Sequence, residues 1–451
     1  MRTTYRRGGT EQRPHAAAGL PAPVDAPGSD RTLSGSDGLH YVGPMREEQR
    51  DVQVHDGASP DQDAPPDRVS RRTVLRWSGT AGMIAIGATI LQACAPSGTS
   101  DPTADANGVI LPDGFSSRII ARGGQPVPGT GFDFRAFPDG AATFVDAAVA
   151  GGWYLAVNHE IPGGGGVSSL RFAPDGSVVE ARSILADTSL NCAGGATPWG
   201  TWLSCEEYDG GNVWECDPTG AQPPRRRAAM GAFAHEAAAV AGDGRVYLTE
   251  DRKDGAFYRF TPVAPGDLSA GVLEVATGAG REGPVTWREV PNPYPAVFDT
   301  PCRRQVPGAI GFNGGEGMST LGDLMWFSTK GDERIWQYEL STAVLSLRYQ
   351  AGSPTELSGV DNLWIDAASG TLLIAEDGGS MEIIMLQPDN SAARVIRLPD
   401  QDGSEITGPC FSPDGQRLYF SSQRGQVGDL GLPLGITYEI SGPFDELLGR
   451  V

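Results

Sequence analysis

The sequence predicts an all-β fold, a six-bladed β-propeller preceded by a disordered leader, and three observations favour this fold class. Short apolar runs rich in Val, Tyr, Trp, Phe and Leu alternate with Asp-Gly, Pro-Asp-Gly and Gly-Gly turns. After about residue 110 no long run follows the 3.6-residue period of a helix. One kind of strand, apolar with a polar C-terminal end, recurs six times in the 451-residue chain.

The recurring strand gives the number of blades. Its six copies end at Glu160, Glu207, Asp251, Lys330, Asp377 and Gln423. Successive ends are separated by 47, 44, 79, 47 and 46 residues, and the long interval contains a Pro- and Gly-rich insertion around 262–310. A period in the forties is the length of one four-stranded blade. We therefore predict a propeller over residues 111–451, with these strands innermost in each blade and their ends in a ring at one mouth of the channel.

Residues 1–93 are predicted to be an export signal with a disordered first part. The stretch before about residue 69 is rich in Pro, Gly, Asp and Arg, which is typical of disorder. The twin-arginine pair Arg71-Arg72 is followed by an apolar run, Trp77 to Leu91, that is too short to span a membrane comfortably. We expect export by the twin-arginine route, which carries proteins that have already folded.

The end of this signal resembles a lipobox, Leu91-Gln92-Ala93-Cys94. We expect cleavage before Cys94 and lipidation of its thiol, with plain secretion after cleavage near Ala95 as the alternative. Residues 94–110 would form a flexible tether. The protein is then a cell-surface lipoprotein or an extracellular or periplasmic protein, and a lipid at Cys94 is its only expected link to a membrane.

The charge of the chain limits its partners. With 35 basic and 56 acidic residues, the formal net charge is -21. Such a surface repels nucleic acid and anionic membranes. It is compatible with multivalent cations, because clustered carboxylates repel one another unless a metal lies between them.

The ring of strand ends predicts a metal site. Four acidic pairs would gather in one funnel, and hard oxygen ligands at this density suit calcium, whereas a thiolate or an imidazole adds capacity for a transition metal. Solvated acidic loop ends are the alternative for any single pair. Five cysteines follow Cys94, so at least one would stay unpaired by disulfides, as a metal thiolate or as an inert buried thiol. The candidate metal ligands are Cys192, Glu160, Glu206, Glu207, Glu236, Glu250, Asp251, Glu316, Glu376 and Asp377.

Two further residues are candidates for catalysis. His159 and His235 each precede a glutamate, which makes His235 a candidate ligand or acid/base group, although most histidines are structural. Arg252 follows Asp251 directly and could bind an anionic substrate by bidentate hydrogen bonds, although most surface arginines are simply solvated.

The longest distinctive segment, Asn191-Cys192-Ala193-Gly194-Gly195 through Trp199 and Trp202 to Cys205-Glu206-Glu207, resembles the PhoX-type alkaline phosphatases and their relatives of unassigned function. Shorter matches are Asn158-His159-Glu160, Phe233-Ala234-His235-Glu236, Glu250-Asp251, Glu316-Gly317, Asp361-Asn362 and Glu376-Asp377. The resemblance implies a propeller that holds Ca²⁺ and Fe³⁺ on carboxylates and one cysteine and hydrolyses small phosphate esters. Either Cys192 or Cys205 could be the thiolate, and we prefer Cys192 because the glycines beside it allow a close backbone approach.

One departure from the family weakens the prediction of substrate. Family phosphatases carry an Arg two positions before the glutamate that corresponds to Glu316, and this chain has Gly314 there. Two alternatives to a phosphatase stay open: a calcium-dependent hydrolase of another class, such as a lactonase, and a non-catalytic, metal-stabilised binding lipoprotein. In each case we expect a monomer.

Overall fold

A computed structural model describes residues 103–351 and 357–450. Over these residues the protein is a six-bladed β-propeller, which confirms the predicted fold class. The twin-arginine pair and Cys94 lie outside the described residues. Among the residues described, no helix has the length and apolar character needed to cross a membrane.

The first half of the described chain forms one closing strand and three blades, here called blades one to three. The closing strand is β1 (Ser116–Arg122), and blade one is β2 (Pro138–Val145), β3 (Trp153–His159), β4 (Gly165–Phe172) and β5 (Val178–Thr188). Blade two is β6 (Asn191–Ala196), β7 (Trp202–Glu206), β8 (Val213–Cys216) and β9 (Arg225–Arg226), and blade three begins with β10 (His235–Val240), β11 (Val246–Glu250), β12 (Gly255–Ala264) and β13 (Asp267–Thr277).

The predicted insertion widens two blades instead of adding one. Of its short strands, β14 (Gly283–Pro284) pairs with blade four, while β15 (Thr286–Glu289) and β16 (Gly311–Phe312) pair with blade three. Two 3₁₀ turns, at Ala228–Met230 and Cys302–Arg304, lie before and within this region.

The second half of the chain forms blades four to six. Blade four is β17 (Gly315–Leu321), β18 (Leu324–Thr329), β19 (Arg334–Glu339) and β20 (Val344–Gln350), with a 3₁₀ turn at Lys330–Asp332. Blade five is β21 (Val360–Ile365), β22 (Leu372–Glu376), β23 (Glu382–Leu386) and β24 (Ala392–Arg397). Blade six contains β25 (Ile406–Phe411) and β26 (Arg417–Ser422), followed by the hairpin β27 (Gln426–Val427) and β28 (Leu432–Pro433), the strand β29 (Ile436–Ser441) and the short helix α1 (Phe444–Leu448).

The last blade is closed by the start of the chain. β1 pairs antiparallel with β29, so blade six reads β25-β26-β29-β1 and the ring is held shut by backbone hydrogen bonds between the two ends of the domain. The predicted tether is shorter than 94–110, because Val109 is fully buried and the Ile110 N–H donates to the Arg397 carbonyl at 2.9 Å. The described residues from 103 onward therefore belong to the propeller.

The order of strands within a blade differs from the prediction. The strands that line the axis are β2, β6, β10, β17, β21 and β25, since each packs against its equivalents in the two neighbouring blades. The recurring strands with polar ends are β3, β7, β11, β18, β22 and β26, so each is the second strand of its blade, not the innermost as predicted. Their ends still reach one mouth, because an antiparallel inner strand begins where its neighbour ends.

Small residues let the inner strands approach one another. A Cβ added at Gly195 would lie 1.7 Å from the Ala238 carbonyl oxygen of the next inner strand, and one at Gly194 would lie 2.0 Å from the Leu203 carbonyl oxygen. The Gly-Gly pair beside Cys192 is therefore required by close backbone contact. Aromatic side chains fill the space between blades, as where Phe257 stacks on Phe327 with ring centroids 4.7 Å apart.

Candidate metal centre

The sixfold repeat places two sets of side chains at one mouth of the channel. The first set consists of the second residue of each inner strand: Asp139, Cys192, Glu236, Glu316, Asp361 and Thr407. The second set consists of the residue that follows each second strand: Glu160, Glu207, Asp251, Lys330, Asp377 and Gln423. Four of these twelve positions, Cys192, Thr407, Lys330 and Gln423, are not carboxylates.

A β-bulge orients the first set. In every blade the pairing between the inner and second strands shifts register just after the mouth, as between Asn191 and Gly194 or between His235 and Ala238. Bulges redirect side chains and are frequent beside functional sites. The redirected residues line the mouth in all six blades.

Nine of these twelve residues, with Glu405 and Arg424, enclose a cavity of about 180 Å³. We call the cavity and the adjoining Glu236 the acidic funnel. The cavity is lined by Asp139, Glu160, Cys192, Glu207, Glu316, Lys330, Asp361, Asp377, Glu405, Thr407 and Arg424.

Ligand atoms in the funnel are close enough to share metal ions. Four groups of three residues each have one ligand atom apiece, all within 4.8 Å of one another. The groups are Asp139–Glu160–Cys192, Cys192–Glu207–Glu236, Glu236–Glu316–Asp361 and Asp361–Asp377–Glu405. Because Cys192, Glu236 and Asp361 each belong to two groups, the four groups form one continuous arc.

Glu236 is the clearest sign that the funnel takes a cation. Its side chain is 1% exposed, and neither carboxylate oxygen has a hydrogen-bond partner in the part of the chain that the structure describes. A buried carboxylate without a partner is costly, and the pKa of Glu236 is raised well above its usual value by burial and by the nearby Glu316 and Glu207 carboxylates. A metal ion would supply the missing partner.

Two neighbouring carboxyl groups also have raised pKa values. Burial, with repulsion from Glu160 and Asp361, raises the pKa of Asp139 to about 8. Burial, with repulsion from Asp251 and Glu160, raises the pKa of Glu207 to about 8. Without a metal these groups therefore tend to hold protons near neutral pH, and a bound cation would release those protons.

Cys192 is the cysteine that faces the funnel. It belongs to two of the ligand groups, whereas Cys205 is fully buried in the apolar core between blades two and three. Burial and the carboxylates of Asp139 and Glu236 raise the pKa of the Cys192 thiol well above its usual value, and a coordinated metal reverses this effect because a coordinating thiol is deprotonated outright. All five described cysteines are free, so none of them forms a disulfide in the structure.

Three predicted ligands lie outside the funnel. Glu206, Glu250 and Glu376 are each the last residue of a second strand, one position before a residue of the second set, and side chains alternate sides along a strand. Each carboxylate accepts at least one backbone N–H of its own blade instead, as Glu376 does from Ser358 at 3.0 Å and from Glu382 at 3.2 Å. These three residues hold backbone and are not placed to bind the metals of the funnel.

The two predicted catalytic residues are also outside the cavity. His235 is fully buried, its Nε2 lies 3.1 Å from the Gly231 carbonyl, and burial lowers its pKa to about 3, so it stays neutral beside Phe233. Arg252 lies at the rim, where its Nε donates to Asp209 at 3.1 Å and its Nη1 stands 3.9 Å from Glu207 Oε1. The structure therefore gives His235 a packing role and leaves Arg252 at the entrance.

The remaining predicted ligands are brought together. Glu160, Glu207, Glu316 and Asp377 line the cavity with Cys192, and Glu236 adjoins them. Asp251 lies near this group, since a Cβ added at Gly314 would be 3.2 Å from Asp251 Oδ1 and 3.6 Å from Glu316 Oε1.

The structure adds funnel residues that were not among the sequence candidates: Asp139, Asp361, Glu405, Thr407 and Arg424. A fixed offset could have revealed two of them. Glu236 precedes Asp251 by 15 positions, and Asp361 and Thr407 precede Asp377 and Gln423, which follow their own second strands, by 16. Asp139 gave no such signal, because Pro138-Asp139-Gly140 looks like a turn and lies 21 positions before Glu160.

Fold and site together define the class of protein: a β-propeller with an acidic, thiol-bearing centre at one mouth. A family model described as "Alkaline phosphatase PhoX" matches residues 163–329, which confirms the resemblance predicted from the motifs. The PhoX of Pseudomonas fluorescens, solved in complex with vanadate, a transition state analogue, superposes with a TM-score of 0.61 at 19% identity, covering 76% of this chain and 97% of that chain. The family model thus shows a likeness to PhoX over residues 163–329, and the superposed structure shows a shared fold.

Other solved structures are more distant. A protein of unknown function from Dyadobacter fermentans has a TM-score of 0.47 at 10% identity, covering 74% of this chain and 100% of its own. A putative 6-phosphogluconolactonase from Bacteroides uniformis has a TM-score of 0.38 at 13% identity, covering 62% of this chain and 76% of its own. No curated protein sequence matches the chain.

Proposed function

We propose that this protein is a metal-dependent phosphatase that hydrolyses small phosphate monoesters at a calcium and iron cluster in the acidic funnel. One observation carries the proposal: in a chain that matches the PhoX family, four overlapping groups of ligand atoms surround a single cavity, and Cys192 belongs to two of these groups.

The donor set fits these metals. Carboxylate oxygens are the ligands that Ca²⁺ prefers, and a thiolate favours softer transition metals, so Cys192 with Glu160, Glu207 and Glu236 suits a mixed cluster. Glu236 gives separate support for a bound cation, because both of its carboxylate oxygens are buried and neither has a described hydrogen-bond partner. When bound, the metals would supply Lewis-acid chemistry, polarising phosphoryl oxygens and activating water.

The chain's own cations can bind the phosphate. Lys330 and Arg424 both line the cavity, and each is held by carboxylates: Lys330 Nζ lies 3.1 Å from Asp377, and Arg424 Nη1 donates to Glu405 at 2.9 Å. Cations fixed in this way can donate to phosphoryl oxygens without further ordering. They also provide positive charge in a site that lacks the family arginine at Gly314.

The size of the cavity limits what enters it. A volume of about 180 Å³ is below the several hundred Å³ of pockets that enclose whole drug-sized ligands. The funnel therefore has room for metals and a phosphoryl group, while the rest of the ester stays at the rim near Arg252. This arrangement favours a phosphatase that accepts many leaving groups.

Elemental analysis and turnover test the proposal. Protein reconstituted with Ca²⁺ and Fe³⁺ should hydrolyse p-nitrophenyl phosphate, and Cys192→Ala and Glu207→Ala should abolish this activity. Bound metal with no turnover of any phosphoester would refute the proposal and favour a binding protein. Lactone turnover with Ca²⁺ alone would favour the lactonase alternative.

We also propose export by the twin-arginine route with a lipid on Cys94, on the basis of the leader sequence. Replacing Arg71 and Arg72 by lysines should retain the protein in the cytoplasm. Mass spectrometry of the exported protein should find a diacylglycerol at Cys94 that Cys94→Ser removes, and export of an unmodified chain would favour plain secretion.

A further inference from the structure

The positive charges of the acidic funnel lie on one side of it. Lys330 Nζ is 3.1 Å from Glu316 Oε1, 3.4 Å from Asp361 Oδ2 and 3.1 Å from Asp377 Oδ2. Arg424 lies beside the same group, 3.4 Å from Asp377 Oδ1. The carboxylates from blades four and five therefore already have cations between them.

On the other side of the funnel no described basic residue lines the cavity, and Arg252, at the rim, approaches Glu207 only to 3.9 Å. Among the residues lining the cavity, Lys330 and Arg424 are the basic ones, and neither belongs to blades one to three. Asp139 and Glu160 share only the neutral amide of Gln423, at 2.6 and 2.7 Å, and Glu236 has no described partner. The need for metal is therefore concentrated around Cys192.

The position of Lys330 in the repeat strengthens this contrast. It occupies the place that Glu160, Glu207, Asp251 and Asp377 occupy in other blades. A lysine there removes one possible ligand and adds a positive charge at the same point. Its Nζ lies within 3.4 Å of the carboxylates of Glu316, Asp361 and Asp377, which is the position between carboxylates that a metal ion would take.

We propose that the ammonium group of Lys330 takes the place of one metal ion, so that this protein binds its metals on the Cys192 side and leaves the Glu316–Asp361–Asp377 group without one. The inference rests on the proposed function only in assuming that the funnel binds metal. It states which ligands this chain uses: the groups Asp139–Glu160–Cys192 and Cys192–Glu207–Glu236.

Counting metals tests the inference. The mature protein and Lys330→Met are each loaded with Ca²⁺ and Fe³⁺, dialysed, and analysed for both elements per chain. We expect Lys330→Met to hold one additional Ca²⁺, because three carboxylates lose their cation. The matched control is Lys253→Met, which removes the chain's other lysine at an exposed loop and should leave the counts unchanged. Equal counts in Lys330→Met and the unmodified protein would overturn the inference.

A second measurement needs no variant and holds even if Lys330→Met fails to fold. Acetic anhydride labels lysines that are accessible, and the chain's two lysines are read in separate peptides by mass spectrometry. Lys330 should stay protected relative to Lys253 both in EDTA and after Ca²⁺ loading, because the ammonium remains among its carboxylates. If Ca²⁺ loading makes Lys330 reactive, a metal has displaced it and the inference is wrong.

The two proposals fail in different ways. Absence of phosphatase activity would refute the proposed function, while the metal counts and the labelling would still report on Lys330. Full activity of the unmodified protein, together with an unchanged metal count in Lys330→Met, would refute the inference alone.

Discussion

Glu236 and Glu250 lie near the mouth on the paired strands β10 and β11 of blade three, and the structure gives them opposite roles. Glu236, on β10, turns into the acidic funnel without a described partner. Glu250, on β11, accepts hydrogen bonds from Tyr258 Oη at 2.7 Å, from the Ala256 N–H at 3.2 Å and from Arg303 Nη1 at 2.7 Å. Replacing each by glutamine therefore separates metal binding from folding.

For Glu236→Gln we expect loss of metal-dependent stability. Removing an outer partner of a metal ligand costs 10- to 100-fold in affinity, so loss of the ligand itself should reach at least about 100-fold. At a Ca²⁺ concentration about 100 times the unmodified protein's Kd, binding stabilises that protein by about 2.7 kcal/mol. With Kd about 100-fold weaker, the same concentration gives about 0.4 kcal/mol. In EDTA at pH 8 the variant should be more stable than the unmodified protein, because its buried carboxylate is gone.

For Glu250→Gln we expect the reverse. Arg303, whose side chain is 11% exposed, loses its buried carboxylate partner and keeps the more exposed Asp254 at 3.0 Å. Breaking a buried ion pair costs about 3–5 kcal/mol, and the remaining pair should hold the loss toward the lower end of that range. This loss should appear equally in EDTA and in Ca²⁺, so the increment of about 2.7 kcal/mol on adding Ca²⁺ is retained. Glu250→Gln is thus the matched control for Glu236→Gln.

The assay is urea unfolding followed by Trp fluorescence, with and without Ca²⁺ at fixed pH. The quantity compared is the change in unfolding free energy that Ca²⁺ produces in each variant. If Glu250→Gln loses the Ca²⁺ increment while Glu236→Gln keeps it, the assignment of the two side chains is wrong and the original sequence prediction for Glu250 is restored.

Three further predictions follow from the same geometry. In EDTA, thermal stability should fall as pH rises from about 4 to about 8, because burial raises the folded pKa values of Asp139 and Glu207 to about 8, above their unfolded values. The stability that these groups contribute is complete below the unfolded pKa and is lost as they ionise in the folded protein. Added Ca²⁺ should therefore raise the melting temperature at pH 8 but hardly at pH 5, and a flat pH profile would count against the burial argument. In chemical unfolding, Arg303→Ala should lower the unfolding free energy by about 3–5 kcal/mol, whereas replacing the adjacent Arg304, whose side chain is 63% exposed, by Ala should lower it by about 0–1 kcal/mol. Similar losses in the two variants would contradict the pairing of Arg303 with Glu250. Gly314→Arg should lower the unfolding free energy by about 1–2 kcal/mol because φ is +71° there, yet it should also lower KM for phosphate esters by restoring an arginine at the funnel. Gly322→Arg, at φ +59° in an exposed turn, is the control that carries the backbone strain alone. An unchanged KM in Gly314→Arg would rule out that position as a phosphate contact.

The number of blades could be predicted from the sequence, because strand ends recur at a steady interval and a blade has a typical length. The layer of each strand could not. Glu250 and Asp251 are adjacent and both acidic, and only the pairing of His235 with Glu250 shows which carboxylate turns toward the funnel. The same ambiguity affected Glu376 and Asp377, so half of each predicted acidic pair proved to support backbone.

The inner strands were harder to recognise because their ligands are isolated. Asp361 is followed by Asn362 in an otherwise apolar strand, and Thr407 carries no charge, so neither has the acidic pair that marked the second strands. Their positions follow from the bulge, which gives each blade one redirected residue at the same offset from the mouth. A bulge of this kind depends on contacts between strands and cannot be recognised from the amino-acid sequence alone.

The arrangement of unlike residues within a sixfold repeat explains how the funnel could act on a phosphate ester. Blades one to three present carboxylates and the Cys192 thiol, which attract metal ions, while blades four to six present Lys330 and Arg424. A phosphoryl group between the two sides would have metals on one flank and fixed N–H donors on the other. Negative charge developing on its oxygens is then stabilised from both directions, with no need for the arginine that Gly314 replaces. An equal ring of six carboxylates could hold more metal but would offer a substrate no such donors, so the loss of symmetry at Lys330 would suit this mouth to the anionic substrate that we propose.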